Sequence, residues 1–303
     1  MKKVLLTVSI AIVIVIAALM IFKHHFLYQC ADLSGLEPIK NPAYISNSPV
    51  ILLDEGHGNF HTIEGRYKPF AQLLTADGYR LRPSTGKLSA ENLAAADVLV
   101  IANAVDPLSK AEINAVVAWV KEGKSLLLVA DHPPFSSPLQ ELCLCFGVDL
   151  GGMWTFDPAQ KEPDAPHASW IRYRRAKGAL GEHPIFEGRY PRERINVITL
   201  FTGQSMDSKT GTPLLKLSDS AQDYETREQA KKGIEGKSAA GRAQAVAVEF
   251  EKGRIVVLGE AGMLTAQAVR FLFFTIKKFG FNLPGNDNRQ FVLNIMHWLT
   301  HLI

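Results

Sequence analysis

Three short runs set the limits on what this chain can fold into. "VILLD" (50–54), "DVLVIAN" (97–103) and "SLLLVAD" (125–131) are apolar at nearly consecutive positions, and each ends in an acid or an amide. A strand wetted on one side alternates apolar and polar residues. Runs apolar at both parities are therefore strands covered on both faces, the pattern of a parallel sheet held between helices. Amphipathic stretches lie among them: "RYKPFAQLLTAD" (66–77), and "LSKAEINAVVAWVKEG" (108–123) with Ser109 as its N-cap and Gly123 as its stop. "GYRLRPS" (78–84) adds a fourth strand signal. Interleaving of this kind implies right-handed βαβ units, so the expected fold class is α/β, a doubly wound, mostly parallel, flavodoxin-like sheet.

The rest of the chain is read around that core. The 303 residues are 47% hydrophobic and 21% charged, which favours a globular protein over a disordered one. A formal charge of +3, with the basic residues dispersed, gives no stripe for nucleic acid, which is excluded as a partner. From Val4 to Phe22 there is no charge, and as a helix that run would cover roughly 28 Å, close to the thickness of a bilayer core. Bulky residues stand where a leader peptidase needs small ones, so residues 1–25 are expected to form an uncleaved signal anchor, a transmembrane helix with the lipid bilayer as its partner. Lys2 and Lys3 outside one end, against Lys23 at the other, orient the body extracytoplasmically as a single-pass protein of the cell membrane. A linker (26–48) and one domain (49–303) follow, with a polar, glycine-punctuated insertion near 203–243 that is given no chemistry. Cys30, Cys143 and Cys145 supply no disulfide framework.

In an open α/β sheet, ligands bind beyond the carboxyl ends of the strands. Asp54, Glu55, His57 and His61 follow the first strand, Asn103 the third, Asp131 and His132 the fourth, and Glu260 the second strand of a hairpin turning at Glu251-Lys252-Gly253. These eight are the candidate ligand-binding residues. Gly56 and Gly58 around His57 predict a tight loop, so His57 and His61 are not read as two ligands on one helical face. Trp154, Phe156 and Trp170 border the loop at 151–170 and form a candidate aromatic wall for a sugar face, with core packing as the competing role.

The order "DVLVIAN…LSKAEINAVVAWVKEGKSLLLVADH", followed by "GEHPIFEG" and "GRIVVLGE", resembles the class I glutamine amidotransferase-like superfamily. Within it the chain is most similar to the bacterial domain-of-unknown-function 4350 group, through "DEGHGNFH", "ADHPPF" and "GEAGMLTAQ", and more distantly to trehalose-utilisation-type and gliding-motility-type domains. The resemblance covers roughly 49–303. It implies a nucleophilic cysteine in the turn after Ala130 and a His-x-Glu after the last hairpin. The chain has "VADHPP" and "GEAGM" there, so the Cys-His-Glu triad is lost and no catalytic residue is assigned.

Three readings of the polar edge stay open. It is a ligand-binding or assembly module at the cell envelope, taking a small molecule, a glycan or a protein and needing no cofactor or metal. Or it is a metal-dependent hydrolase acting on a cell-envelope or carbohydrate-type substrate, with zinc or another divalent cation held by the carboxylates and imidazoles. Or the same side chains only brace loops.

Overall fold

The computed structural model describes residues 27–34, 36–272 and 274–303. Its centre is a nine-stranded sheet. In spatial order the strands are Arg80–Ser84, Val50–Asp54, Val98–Ala102, Ser125–Val129, Gly253–Leu258, Ala243–Phe250, Met206–Ser208 and Val148–Leu150, with Thr212–Lys216 also paired to Ala243–Phe250. The first five are parallel, Leu128 for instance facing both Ile101 and Val257. From Ala243–Phe250 onward every pairing is antiparallel.

The doubly wound, flavodoxin-like expectation is corrected by this topology. The sheet is mixed because the hairpin at 251–252 sends its two strands in opposite directions, and two- and three-residue connections cannot make the helical crossover a parallel pair needs. Three smaller sheets stand outside it: Leu27–Ala31 with Ala266–Phe271 and Phe274–Gly280; Trp154–Phe156 with Gln222–Tyr224 and Lys237–Ser238; and Trp170–Arg174 with Val197–Phe201. Most of their strands read poorly in the sequence because they are short or carry exposed positions; Val197–Phe201, within the apolar run 195–201, is strand-like in the sequence as well.

The expected anchor, Val4–Phe22, lies outside the described residues. Among the described residues no helix is long and apolar enough to cross a membrane. The bilayer partner and the single-pass localisation accordingly have no element among the described residues to carry them, and neither is retained. Residues 203–243 are built into the structure, with strands in two sheets and the helix Arg227–Lys231.

Alternation along the central strands splits the core in two. Ile51, Leu53, Val100, Leu127 and Val256 point to one face, where Phe70 and Leu74 of helix Lys68–Ala76 and Phe291, Ile295 and Met296 of helix Asn288–Leu299 cover them. Leu99, Ile101, Leu126, Leu128 and Val257 point to the other, beneath Ile113, Val116 and Val120 of helix Lys110–Lys121. The two covered faces explain the unbroken apolar runs. They also leave only the strand ends free to present polar groups.

Candidate functional site

The polar cluster at the strand ends divides into a brace and a cavity. The brace begins at Asp54, whose carboxylate is fully enclosed at the end of its strand. It accepts hydrogen bonds from the Gly56 N–H (3.2 Å), from Asn59 Nδ2 (3.0 Å) and from His57 Nδ1, 3.0 Å from both oxygens. The other ring nitrogen, His57 Nε2, lies 3.2 Å from Glu112 Oε1. Both ring nitrogens thus face carboxylate oxygens, which is satisfied only if both carry protons and the ring is a cation. The hydrogen bond to Asp54 raises the imidazole pKa against the opposing effect of burial, and the charges of Asp54 and Glu112 reinforce it.

Glu112 is itself pinned. Although burial pushes its pKa up, the Ser109 hydroxyl (2.6 Å), the N–H groups of Ser109 and Leu88, and the His57 charge hold it at about 2. The local sequence makes this loop. Gly58 has φ +61, and a Cβ on Gly56 would meet the Gly86 carbonyl at 2.9 Å, so each glycine is there for a stated reason. Glu55 turns away and accepts from the Ile63 N–H (2.7 Å). Asp54, Glu55 and His57 therefore hold loops and do not line the cavity.

His61, Asn103, Asp131, His132 and Glu260 do share one cavity, of about 390 Å3. Asn103 takes a left-handed φ of 49°, costly for a residue with a Cβ, and in that pose its side-chain oxygen accepts from the Asp131 N–H at 3.1 Å. Asp131 and Glu260 hang on one turn. The Ala261 N–H reaches Asp131 Oδ2 at 3.3 Å, while the N–H groups of Gly262 and Met263 reach Glu260 at 2.5 and 2.8 Å. A Cβ on Gly262 would come within 2.6 Å of Glu260 Oε1, so a side chain there would displace that carboxyl group. Burial raises the pKa of both acids; the charge of Asp131 adds to the rise at Glu260, while the His132 charge and its N–H oppose it at Asp131. Two carboxyl groups in so dry a place disfavour each other's ionisation.

His61 is a neutral wall. Burial, aided by the Arg66 charge, lowers its pKa to about 3, its ring packs on Tyr67 at 4.4 Å, and its buried Nδ1 has no hydrogen-bond partner among the described residues. His132 stacks flat on Trp154, with centroids 3.6 Å apart and planes at 18°, and its Nδ1–H is 2.9 Å from the Pro133 carbonyl. Trp154 and Trp170 both line the cavity; Phe156 packs instead on His167 and Tyr224. Three cationic lining residues, Arg66, Arg227 and Lys277, escape the sequence reading. They come from a loop, from the polar 203–243 stretch and from an edge strand, and no strand-end rule points to them.

No metal centre forms from these groups. Among the described residues no three His, Cys, Asp or Glu side chains converge in a way that could hold an ion. His57 is committed to two carboxylates, and His61 and His132 are turned to aromatic neighbours. The cysteines lie elsewhere: Cys143 is buried in helix Gln140–Cys145, where burial raises its thiol pKa.

Residues 66–270 match the family described as Domain of unknown function (DUF4350). The sequence matches none of the curated proteins. Among solved structures the chain is similar to the mmIFT52 N-terminal domain, at 12% identity and a TM-score of 0.59 over 82% of this chain and 97% of that one. It is also similar to the cytoplasmic protein STM3548 from Salmonella typhimurium, at 10% identity and a TM-score of 0.51 over 83% and 98%. At such identities the likeness concerns the fold alone. These matches stop short of the glutamine amidotransferase-like superfamily, and that wider placement is not kept.

Proposed function

This chain belongs to the DUF4350 family, and from that premise we propose that it is a binding domain for a small, ring-bearing polar ligand of the glycan type, held in the cavity beyond the strand ends. The observation that carries the reading is the wall made by Trp154 and Trp170 above a floor of hydrogen-bonding groups, Asn103, Asp131 and Glu260, in a cavity of about 390 Å3. Sugars present an apolar ring face and a hydroxyl edge. Indole planes take the first and buried carboxyl and amide groups the second. The His132 ring stacked behind Trp154 fixes the indole before any ligand arrives, which lowers the entropic cost of binding.

The metal-dependent hydrolase reading draws its support from the count of acids and histidines along the strand ends. Their division between brace and cavity weakens it. Titration calorimetry of the purified protein against a panel of mono- and disaccharides tests the binding reading, with metal analysis of the same sample. At least one saccharide should bind, and Trp154→Ala should weaken it about tenfold, as expected for the loss of one aromatic contact of about 1.4 kcal/mol. Indifference of binding to Trp154→Ala would reject the site. Stoichiometric zinc with saccharide hydrolysis would replace the binding module by the hydrolase.

A further inference from the structure

Lys277 and Lys278 are neighbours on the strand Phe274–Gly280, and they do different things. Lys278 pairs with Asp32 at 3.1 Å. Lys277 lines the cavity, its Nζ 3.9 Å from the centre of the Trp170 ring. Arg66 repeats the pattern on a second wall, 4.2 Å over Phe60, and Arg227 on a third, 5.3 Å over Trp154. None of the three is within 4.0 Å of a described carboxylate, whereas Arg172, Arg175 and Arg189 each have one at 3.0 Å or less. A protein with nearly as many acids as bases has no shortage of counter-charge. Three partly exposed cations thus line one cavity with no described carboxylate within ion-pair distance, Asp131 and Glu260 being the acids of the same lining, and this leaves them free to pair with an arriving anion.

Arg227 is also aimed. Its Nη2 donates to His167 Nε2 at 2.9 Å, and its Nε is buried without a partner among the described residues. With Nε2 accepting, the neutral His167 ring carries its proton on Nδ1 and donates it to the Ser169 hydroxyl oxygen at 2.6 Å, so the guanidinium is held by a neutral chain that leaves its charge unspent. Burial and then the Arg227 charge lower the pKa of His167, in keeping with that role.

We propose that the ligand of this cavity carries an anionic substituent on its ring, a carboxylate, sulfate or phosphate, bound between Arg66, Arg227 and Lys277. The inference rests on the cavity being a ligand site. Aromatic rings beneath the cations keep them in place without neutralising them, and a planar guanidinium fork matches an oxyanion better than a hydroxyl. The acidic floor adds a polarity to the site: an anion is disfavoured beside Asp131 and favoured at the three cations, so the ring has one orientation.

Glucuronate, glucose 6-phosphate, glucose and inorganic sulfate, each titrated into the full chain at low and at moderate salt, separate the outcomes. At least one of the two acidic sugars should bind ten or more times tighter than glucose, with an advantage that shrinks as salt rises. Arg227→Gln and Lys277→Gln should reduce that advantage severalfold, in variants whose thermal unfolding matches the wild type. Glucose binding as tightly as both acidic sugars would overturn the anion site while keeping the glycan reading. Sulfate binding that depends on Arg227, with no sugar bound, would keep the anion site and remove the glycan. Binding of none of the four probes would overturn both.

Discussion

His57 shows how a residue that looks like a metal ligand becomes a buried counter-ion. Its ring bridges Asp54 and Glu112, so His57→Ala would leave two enclosed carboxylates with no cation between them, and the unfolding free energy should fall by about 3 kcal/mol, measured by urea denaturation. An unchanged midpoint would refute the bridge. The pH dependence follows from the same contacts. The His57 pKa is raised on folding, so its contribution is fully present below the ordinary histidine value of about 6.5 and is lost as pH rises through the folded value. Glu112 has the opposite sign: held at about 2, it stabilises above its ordinary value of 4.5 and loses that as pH falls toward 2. The wild type should therefore lose stability as pH rises above about 6.5, by an amount that His57→Ala removes. The sequence showed "DEGHGNFH" as polar groups at a strand end, and the glycine turn was legible in Gly56 and Gly58. Which of its histidines faced the cavity was not, because Glu112 lies 55 positions beyond His57 and only the fold brings them together.

At the scale of elements, the helix Lys110–Lys121 carries the brace at its first turn. Ser109 and Glu112 form a reciprocal capping box, and Glu112 uses its remaining oxygen on His57 and Leu88. Ser109→Ala should cost about 1–2 kcal/mol, at the upper end for an N-cap because the hydroxyl also fixes the carboxylate that His57 needs. In a double-mutant cycle with His57→Ala the losses should fall short of additive, and strict additivity would separate the cap from the brace. Elements with two covered faces were the legible ones: "VILLD", "DVLVIAN" and "SLLLVAD" are strands, the 251–252 hairpin turns where its glycine predicts, and the helix from Ser109 starts at its cap. Several elements with a wet face were not, although Arg80–Ser84 was. The strand Phe274–Gly280 carries Phe274 and Ile276 exposed and Lys277 against the cavity, a mixture without period. Arg227 sits in a five-residue helix within a stretch whose lysines and glycines read as a solvated insertion.

The whole molecule is held by contacts that ignore sequence distance. Val50–Asp54 lies between Arg80–Ser84 and Val98–Ala102, and helix Asn288–Leu299 seals the face beneath them, yet both fall outside the 66–270 family match. A 66–270 fragment should therefore show no cooperative unfolding transition, while the full chain should; a sharp calorimetric transition in the fragment would mean that the central strand is dispensable. The same arrangement bears on how the protein is made. Ser125–Val129 waits for Gly253–Leu258, its parallel neighbour some 120 residues later, which at ~5–20 residues per second leaves an apolar strand edge open on the ribosome for on the order of ten seconds. Nascent chains of this protein are thus candidates for holding chaperones, and rare codons placed between 130 and 252 should lower its soluble yield more than the same codons after 258.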